Sequence, residues 1–229
     1  MAAQIDGPRV QAHSGQCRQL IVFLHGYGAD GADLIEIGRQ WRGFLPDADF
    51  VAPNAPERCS MSPMGRQWFP LTMRDPHERW QGVVAARPIL DSFLDKELEK
   101  RGLSEQSLAL VGFSQGTMMA LHVGLRRLTA PCAILGYSGV LVSGDQDVDN
   151  MPLQRQQKPP SVLLVHGDED ELIPPEALMM SANALADMNV PAQWHLSAGL
   201  GHGIDNAGLV HGGLFLAQSF GIKVEFGSK

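Results

Sequence analysis

The feature that most constrains this chain is a short apolar run, Ser107-Leu108-Ala109-Leu110-Val111, that ends in Gly112-Phe113-Ser114-Gln115-Gly116 and leads into Thr117-Met118-Met119-Ala120-Leu121-His122-Val123. The run is rich in β-formers and the segment after the turn has the composition of a helix, so the order is strand, sharp turn, helix. A serine on such a turn stands clear of its neighbours with its hydroxyl exposed. Glycines on either side suit a place where two backbones approach closely. The helix that begins there aims free N–H groups and its positive end at the space above the serine, where an oxyanion would be stabilised. A five-residue pattern of this kind also recurs by chance, and a catalytic reading requires a histidine and an acid further along.

The same order repeats along the chain. Leu20-Ile21-Val22-Phe23-Leu24, Phe50-Val51-Ala52, Cys132-Ala133-Ile134-Leu135-Gly136, Ser161-Val162-Leu163-Leu164-Val165 and Gln193-Trp194-His195-Leu196 read as strands. Continuous apolar runs of this length suit strands buried on both faces of a parallel sheet. Helices are expected over about 33–44, 81–101, 175–188 and 206–220, with Pro46 stopping the first and Gly102 ending the second. Pro88 must lie near the first turn of that second helix or kink it. Alternating strands and helices predict an α/β fold, a mostly parallel central sheet with helices on both faces. With 229 residues and no internal repeat or linker, residues 1–229 are expected to form one domain.

Composition excludes several classes. Apolar residues at 44% and charged residues at 19% are ordinary for a soluble globular chain. A net charge of −7 without a Lys/Arg cluster lacks the basic footprint of a nucleic-acid partner. The start, Met1-Ala2-Ala3-Gln4-Ile5-Asp6, has no basic and apolar regions of a secretion signal, and the longest apolar runs are far too short for an integral membrane segment. Cys17, Cys59 and Cys132 are widely spaced and odd in number, which argues against a disulfide framework and for the reducing cytoplasm. Whether the chain acts as a monomer or a homodimer is open at this level.

Two patterns compete for attention. Gly26, Gly28 and Gly31 satisfy G-x-G-x-x-G between a strand and a helix, as a dinucleotide-binding oxidoreductase would. Such a site also needs an acid at the end of the second strand, and here Asp47 and Asp49 come before that strand, which ends in Pro53-Asn54-Ala55-Pro56. Asp145, Asp147 and Asp149 mimic the start of a calcium loop, but Asn150 stands at the turn glycine and Gln156 at the closing glutamate, so a solvated connection is expected and no metal. The long stretch 53–79 carries five prolines together with Met61, Met64, Trp68, Phe69, Leu71 and Met73. Long irregular loops are usually functional, and these side chains either wall an apolar pocket or pin the loop to the core.

A serine needs a base to take its proton and a third group to hold the base. In chain order the loop after Val165, His166-Gly167-Asp168-Glu169-Asp170-Glu171-Leu172-Ile173-Pro174, offers acids, and Gly199-Leu200-Gly201-His202-Gly203 after Leu196 offers a histidine. Both follow C-terminal strand ends, where sheets of this type place their sites. Of the other histidines, His195 falls within a strand, His211 within the last helix, and His25 and His166 before turn glycines.

The chain resembles the α/β-hydrolase family of small carboxylesterases, lysophospholipases and acyl-protein thioesterases. The resemblance rests on Phe23-Leu24-His25-Gly26-Tyr27-Gly28, Pro53-Asn54-Ala55-Pro56, Trp68-Phe69, Gly112-Phe113-Ser114-Gln115-Gly116, His166-Gly167-x-x-Asp170-x-x-Ile173-Pro174 and Gly201-His202, spanning about residues 20 to 205. It implies Ser114 as nucleophile, His202 as general base and Asp170 as orienting acid, with Asp168 in reserve. It further implies an oxyanion hole from the N–H groups of Tyr27 and Gln115, and hydrolysis of esters or thioesters without metal or cofactor. The substrate would be a small acyl ester or thioester, an S-acylated protein or a lysophospholipid. Met61, Met64, Trp68, Phe69, Leu71 and Leu172 are the expected acyl-chain wall. Pro70 departs from the polar or acidic residue expected there in many members, so finer pocket details are not carried over. The competing class, besides the oxidoreductase, is a silent hydrolase scaffold used for binding.

Overall fold

The computed structural model describes residues 5–72, 77–144 and 158–224. Its centre is a seven-stranded sheet built from β1 (Arg9–Val10), β2 (Gln19–Leu24), β3 (Ala48–Val51), β6 (Leu108–Phe113), β7 (Ala133–Tyr137), β8 (Ser161–Gly167) and β9 (Ala192–Ser197). The strand order is β1-β3-β2-β6-β7-β8-β9, and every pairing is parallel except β1 with β3. β4 (Glu57–Arg58) and β5 (Arg66–Gln67) form a separate antiparallel hairpin.

The expectation that the central strands are buried on both faces is met residue by residue. In β2, Leu20, Val22 and Leu24 join one core cluster while Ile21 and Phe23 join the other, as the two-residue period of a strand requires. The first cluster packs α2 (Glu78–Arg101), α3 (Gln115–Gly124) and α4 (Glu176–Asp187) on one face; the second packs α1 (Gly31–Trp41) and α5 (Asn206–Ser219) on the other. Apolar faces of helices thus close both sides of the sheet.

Local signals moved several boundaries. The first helix begins at Gly31, ahead of the expected 33, because Asp30 is extended and its Oδ1 accepts the Ala32 N–H at 2.8 Å. It ends at Trp41, and Phe44 lies in the turn that follows, its N–H on the Trp41 carbonyl at 2.9 Å. The second starts at Glu78 and continues through Pro88, which lies on its exposed side, to a left-handed Gly102 with φ 63°. The edge strand β1 and the β4–β5 hairpin were absent from the sequence reading, since two-residue strands leave no alternation to detect. Met73 and the aspartates 145, 147 and 149 lie outside the described residues. Among the described residues no helix is long and apolar enough to cross a membrane.

Candidate active site

Strand order places β6 at the middle of the sheet, between β2 and β7, and its C-terminal end carries the turn that the sequence marked. Ser114 has φ 54° and ψ −115°, a conformation that costs a residue with a Cβ of order 1–3 kcal/mol and is held only by its surroundings. Those surroundings are close. A Cβ on Gly112 would sit 2.4 Å from the Gly116 carbonyl carbon, and one on Gly116 only 1.8 Å from the Leu24 oxygen. The Ser114 N–H donates to the Tyr137 carbonyl at 2.9 Å, and the Ser114 carbonyl accepts from Thr117 and Met118. Among the described residues the N–H groups of Gln115 and Tyr27 have no hydrogen-bond partner. They are unused donors on α3 and on the loop after β2.

The acid loop follows β8. Asp170 is fully buried as a side chain, and three hydrogen bonds and one further imidazole nitrogen surround its carboxylate. Oδ1 accepts the N–H groups of Leu172 and Ile173, each at 2.9 Å. Oδ2 accepts from His202 Nδ1 at 2.8 Å and lies 3.2 Å from His166 Nε2. Burial pushes the Asp170 carboxyl up, but hydrogen bonds from Ile173, His202 and Leu172 outweigh it and hold the group below its ordinary value. Asp168 is exposed and serves the backbone: its Oδ1 accepts the Gly199 N–H at 2.6 Å, and its own N–H donates to the Ser197 carbonyl. It therefore anchors the loop that carries His202 without touching the ring.

That loop joins β9 to α5. Ser138 Oγ donates to the Gly203 carbonyl at 3.0 Å, and the His202 ring packs on Phe113, centroids 5.0 Å apart. Because Asp170 can only accept, the His202 proton sits on Nδ1 and Nε2 is left bare. His202 and Ser114 both line one cavity of about 710 Å³, together with Tyr27, Ser60, Met61, Leu71, Thr72, Arg79, Gln115, Met118, Leu172 and Ile173. Of the other histidines weighed from the sequence, His166 lies against the acid, His25 is buried and bonded to Gly26 and Ala55, and the rings of His195 and His211 pack on each other.

The residues expected to wall a pocket divide in two. Met61, Leu71 and Leu172 line the cavity, Met61 and Leu172 as exposed lips. Met64 is 91% exposed and is not among the lining residues. Trp68 and Phe69 are a correction too: both are buried and belong to the core. Trp68 Nε1 donates to the His25 carbonyl, its backbone N–H to Gln115 Oε1 at 2.9 Å, and Gln115 Nε2 to the Phe69 carbonyl at 2.8 Å. Their bulk pins the loop to the core and ties it to the residue after Ser114. Sequence reasoning missed Met118, Ser60, Thr72 and Arg79 in the cavity and His166 on the acid. Only His166 left a signal, its place in the His-Gly pattern before Asp170.

The three glycines of the dinucleotide pattern have other duties. Gly31 is where α1 meets the end of β3, since a Cβ there would sit 1.9 Å from the Ala52 oxygen. The first N–H groups of α1 are already taken by Asn54 Oδ1 and Asp30 Oδ1, so this helix start has no free donors for a pyrophosphate. Among the described residues no group of three or more His, Cys, Asp or Glu is arranged to hold a metal ion.

A mostly parallel sheet with a strained serine at the end of its central strand, and an Asp–His pair on the loops that follow, defines the α/β-hydrolase class. The family model described as Phospholipase/Carboxylesterase matches residues 5–219, and the chain belongs to that family. It is 25% identical over 207 residues to acyl-protein thioesterase 1 of Gibberella zeae, covering 85% of this chain and 88% of the relative. It is 26% identical over 197 residues to esterase YpfH of Escherichia coli, covering 86% and 81%. Among solved structures it is similar to esterase PE8, with 40% identity, a TM-score of 0.88 and coverage of 94% and 99%.

Proposed function

We propose that this protein is a serine hydrolase of carboxylic ester or thioester bonds in which Ser114 is the nucleophile, His202 the general base and Asp170 the acid that orients it. The observation that carries the assignment is the 2.8 Å contact of His202 Nδ1 with Asp170 Oδ2, on a histidine that shares its cavity with Ser114. Ser114 Oγ attacks the acyl carbonyl while His202 Nε2 takes its proton. The tetrahedral oxyanion is held by the Tyr27 and Gln115 N–H groups, each such donor worth about 3 kcal/mol in the transition state. Collapse expels an alcohol or thiol, which recovers the proton from His202. Water then attacks the acyl-enzyme with the same base, releasing the carboxylic acid.

The substrate class follows from the cavity. Met61, Leu71, Met118, Leu172 and Ile173 give it an apolar wall, and Met61 and Leu172 stand exposed at 81% and 65%. An acyl chain would lie along this wall, Met adapting to its shape. We read the chain as one domain, because a single sheet draws strands from the start of the described chain to its end. We assign it to the cytoplasm on its three free cysteines.

Two measurements test the reading. A fluorophosphonate probe should label the wild type and spare Ser114→Ala; labelling and hydrolysis that survive the substitution would put the nucleophile at another residue, and a wild type that neither labels nor hydrolyses would favour a silent scaffold. A panel of esters and thioesters graded by acyl length, run on Met61→Ala and Leu172→Ala, should show altered chain-length preference. An unchanged preference in both variants removes them from the acyl wall.

A further inference from the structure

The acid has a second imidazole. His166 ends β8 as a buried residue, and its Nε2 lies 2.9 Å from the Ile173 carbonyl oxygen and 3.2 Å from Asp170 Oδ2. Both neighbours are acceptors, so Nε2 carries a proton; its hydrogen bond goes to the Ile173 carbonyl, and the same N–H stands beside Asp170 Oδ2 as a close electrostatic neighbour. The same Ile173 gives its N–H to Asp170 Oδ1 at 2.9 Å. His166, Asp170 and both polar groups of Ile173 thus form a closed set around a carboxylate from which water is excluded. Hydrogen bonds to an ionised group in such a place are the strong ones.

We propose that His166 is a positioning residue for the hydrolysis: its Nε2–H fixes the rotation of the Asp170 carboxylate and draws charge from Oδ2, the same oxygen that holds His202. The inference rests on the triad assignment above. Two consequences follow. Without the second donor the carboxylate is less constrained about its last bond, so His202 is less often aimed at Ser114. Oδ2 also becomes the stronger acceptor, which favours the protonated form of His202. The acidic limb of kcat/KM should therefore move to higher pH. Other titratable groups around this set are Asp168, Glu169 and Glu171 on the same loop and Asp205, which caps α5 through the Gly208 N–H. Tyr27 and Arg79 lie across the cavity. All six are retained in the variants below, so they contribute equally to each profile.

Gln can present its amide nitrogen near where the His Nε2 stands, whereas Asn is too short and Leu has no donor. His166→Gln should keep kcat/KM within about threefold of wild type, and His166→Leu should lose roughly tenfold, the effect of one N–H beside a buried carboxylate. In His166→Leu the acidic limb should rise by about half a pH unit or more while KM stays near its wild-type value. Should the leucine variant fail to fold, His166→Asn set against His166→Gln gives the same contrast, with thermal unfolding confirming that both are native. The proposal is overturned if Leu, Asn and Gln variants all keep the wild-type limb and rate. It is equally overturned if all three lose activity alike with no movement of the limb, which is what a packing role alone would give. Failure of the triad itself reads differently: His202→Ala or Asp170→Asn would then remain active.

Discussion

Replacing Asp170 by Asn changes the fewest atoms while asking the most of the site. The carboxylate accepts three hydrogen bonds, from the N–H groups of Leu172 and Ile173 on Oδ1 and from His202 Nδ1 on Oδ2, and His166 Nε2 lies 3.2 Å from Oδ2. An amide can satisfy only one side. With its oxygen toward the imidazoles, its NH₂ would face two buried backbone donors, leaving both unpaired at roughly 1–3 kcal/mol each. The opposite orientation keeps the backbone bonds and points NH₂ at His202 Nδ1. That nitrogen must then accept, which moves the ring proton to Nε2 and removes the base proposed for Ser114. The second orientation costs less, so the side chain folds into the inactive tautomer. kcat/KM for an activated p-nitrophenyl ester should fall by about 10⁴-fold, close to 5.5 kcal/mol of transition-state stabilisation, with KM little changed because the cavity wall is intact. Asp168→Asn, which disturbs only a loop anchor, should stay within about tenfold of wild type. If Asp170→Asn remains within tenfold while Asp168→Asn collapses, the acid is Asp168 and the tautomer argument fails.

The same substitution predicts a pH effect on stability. Because Asp170 titrates below its ordinary value in the fold, its stabilising contribution is complete above the unfolded value of about 4 and is lost as pH falls through the folded one. Denaturant curves should show the gap between wild type and Asp170→Asn narrowing only under acid conditions, and a gap independent of pH would contradict this. Gly116→Ala would place a methyl 1.8 Å from the Leu24 oxygen, so α3 must retreat from β2; a loss of about 3 kcal/mol or more is expected by chemical denaturation, with probe labelling abolished. Arg127, buried among Asp91, Asp95 and Glu105, is the third case. Arg127→Met takes the arginine from the largely buried Glu105, while Asp91 keeps Arg87 and Asp95 faces solvent; it should cost about 2 kcal/mol, or about 4–8 °C in Tm, and unchanged melting would show the cluster to be energetically idle.

Much of this was legible in the chain. Apolar runs too continuous for a one-sided sheet gave the buried parallel strands, and the glycines around Ser114 declared a turn too tight for any side chain. Ser114, Asp170 and His202 could be proposed as a set because each lies a few residues past a strand, and parallel strands deliver their ends to one rim. Other features had no local signature. Trp68 and Phe69 look like pocket residues in a list of methionines and aromatics, yet they are core because Gln115, 47 residues beyond Trp68, reaches back to their backbone. Asp168 and Asp170 are equivalent acids by composition; only packing decides that one faces solvent while the other is sealed beneath His202.

What the sequence determined by itself, then, was the order of elements and the types of residue at their ends, since hydrophobic period and turn chemistry act over a few neighbours. The tertiary structure decided which of those residues meet: it set Met118 into the cavity, drew Trp68 and Phe69 out of it, and laid a second imidazole against the acid. Those choices depend on contacts between segments tens of residues apart, whose geometry no local pattern encodes.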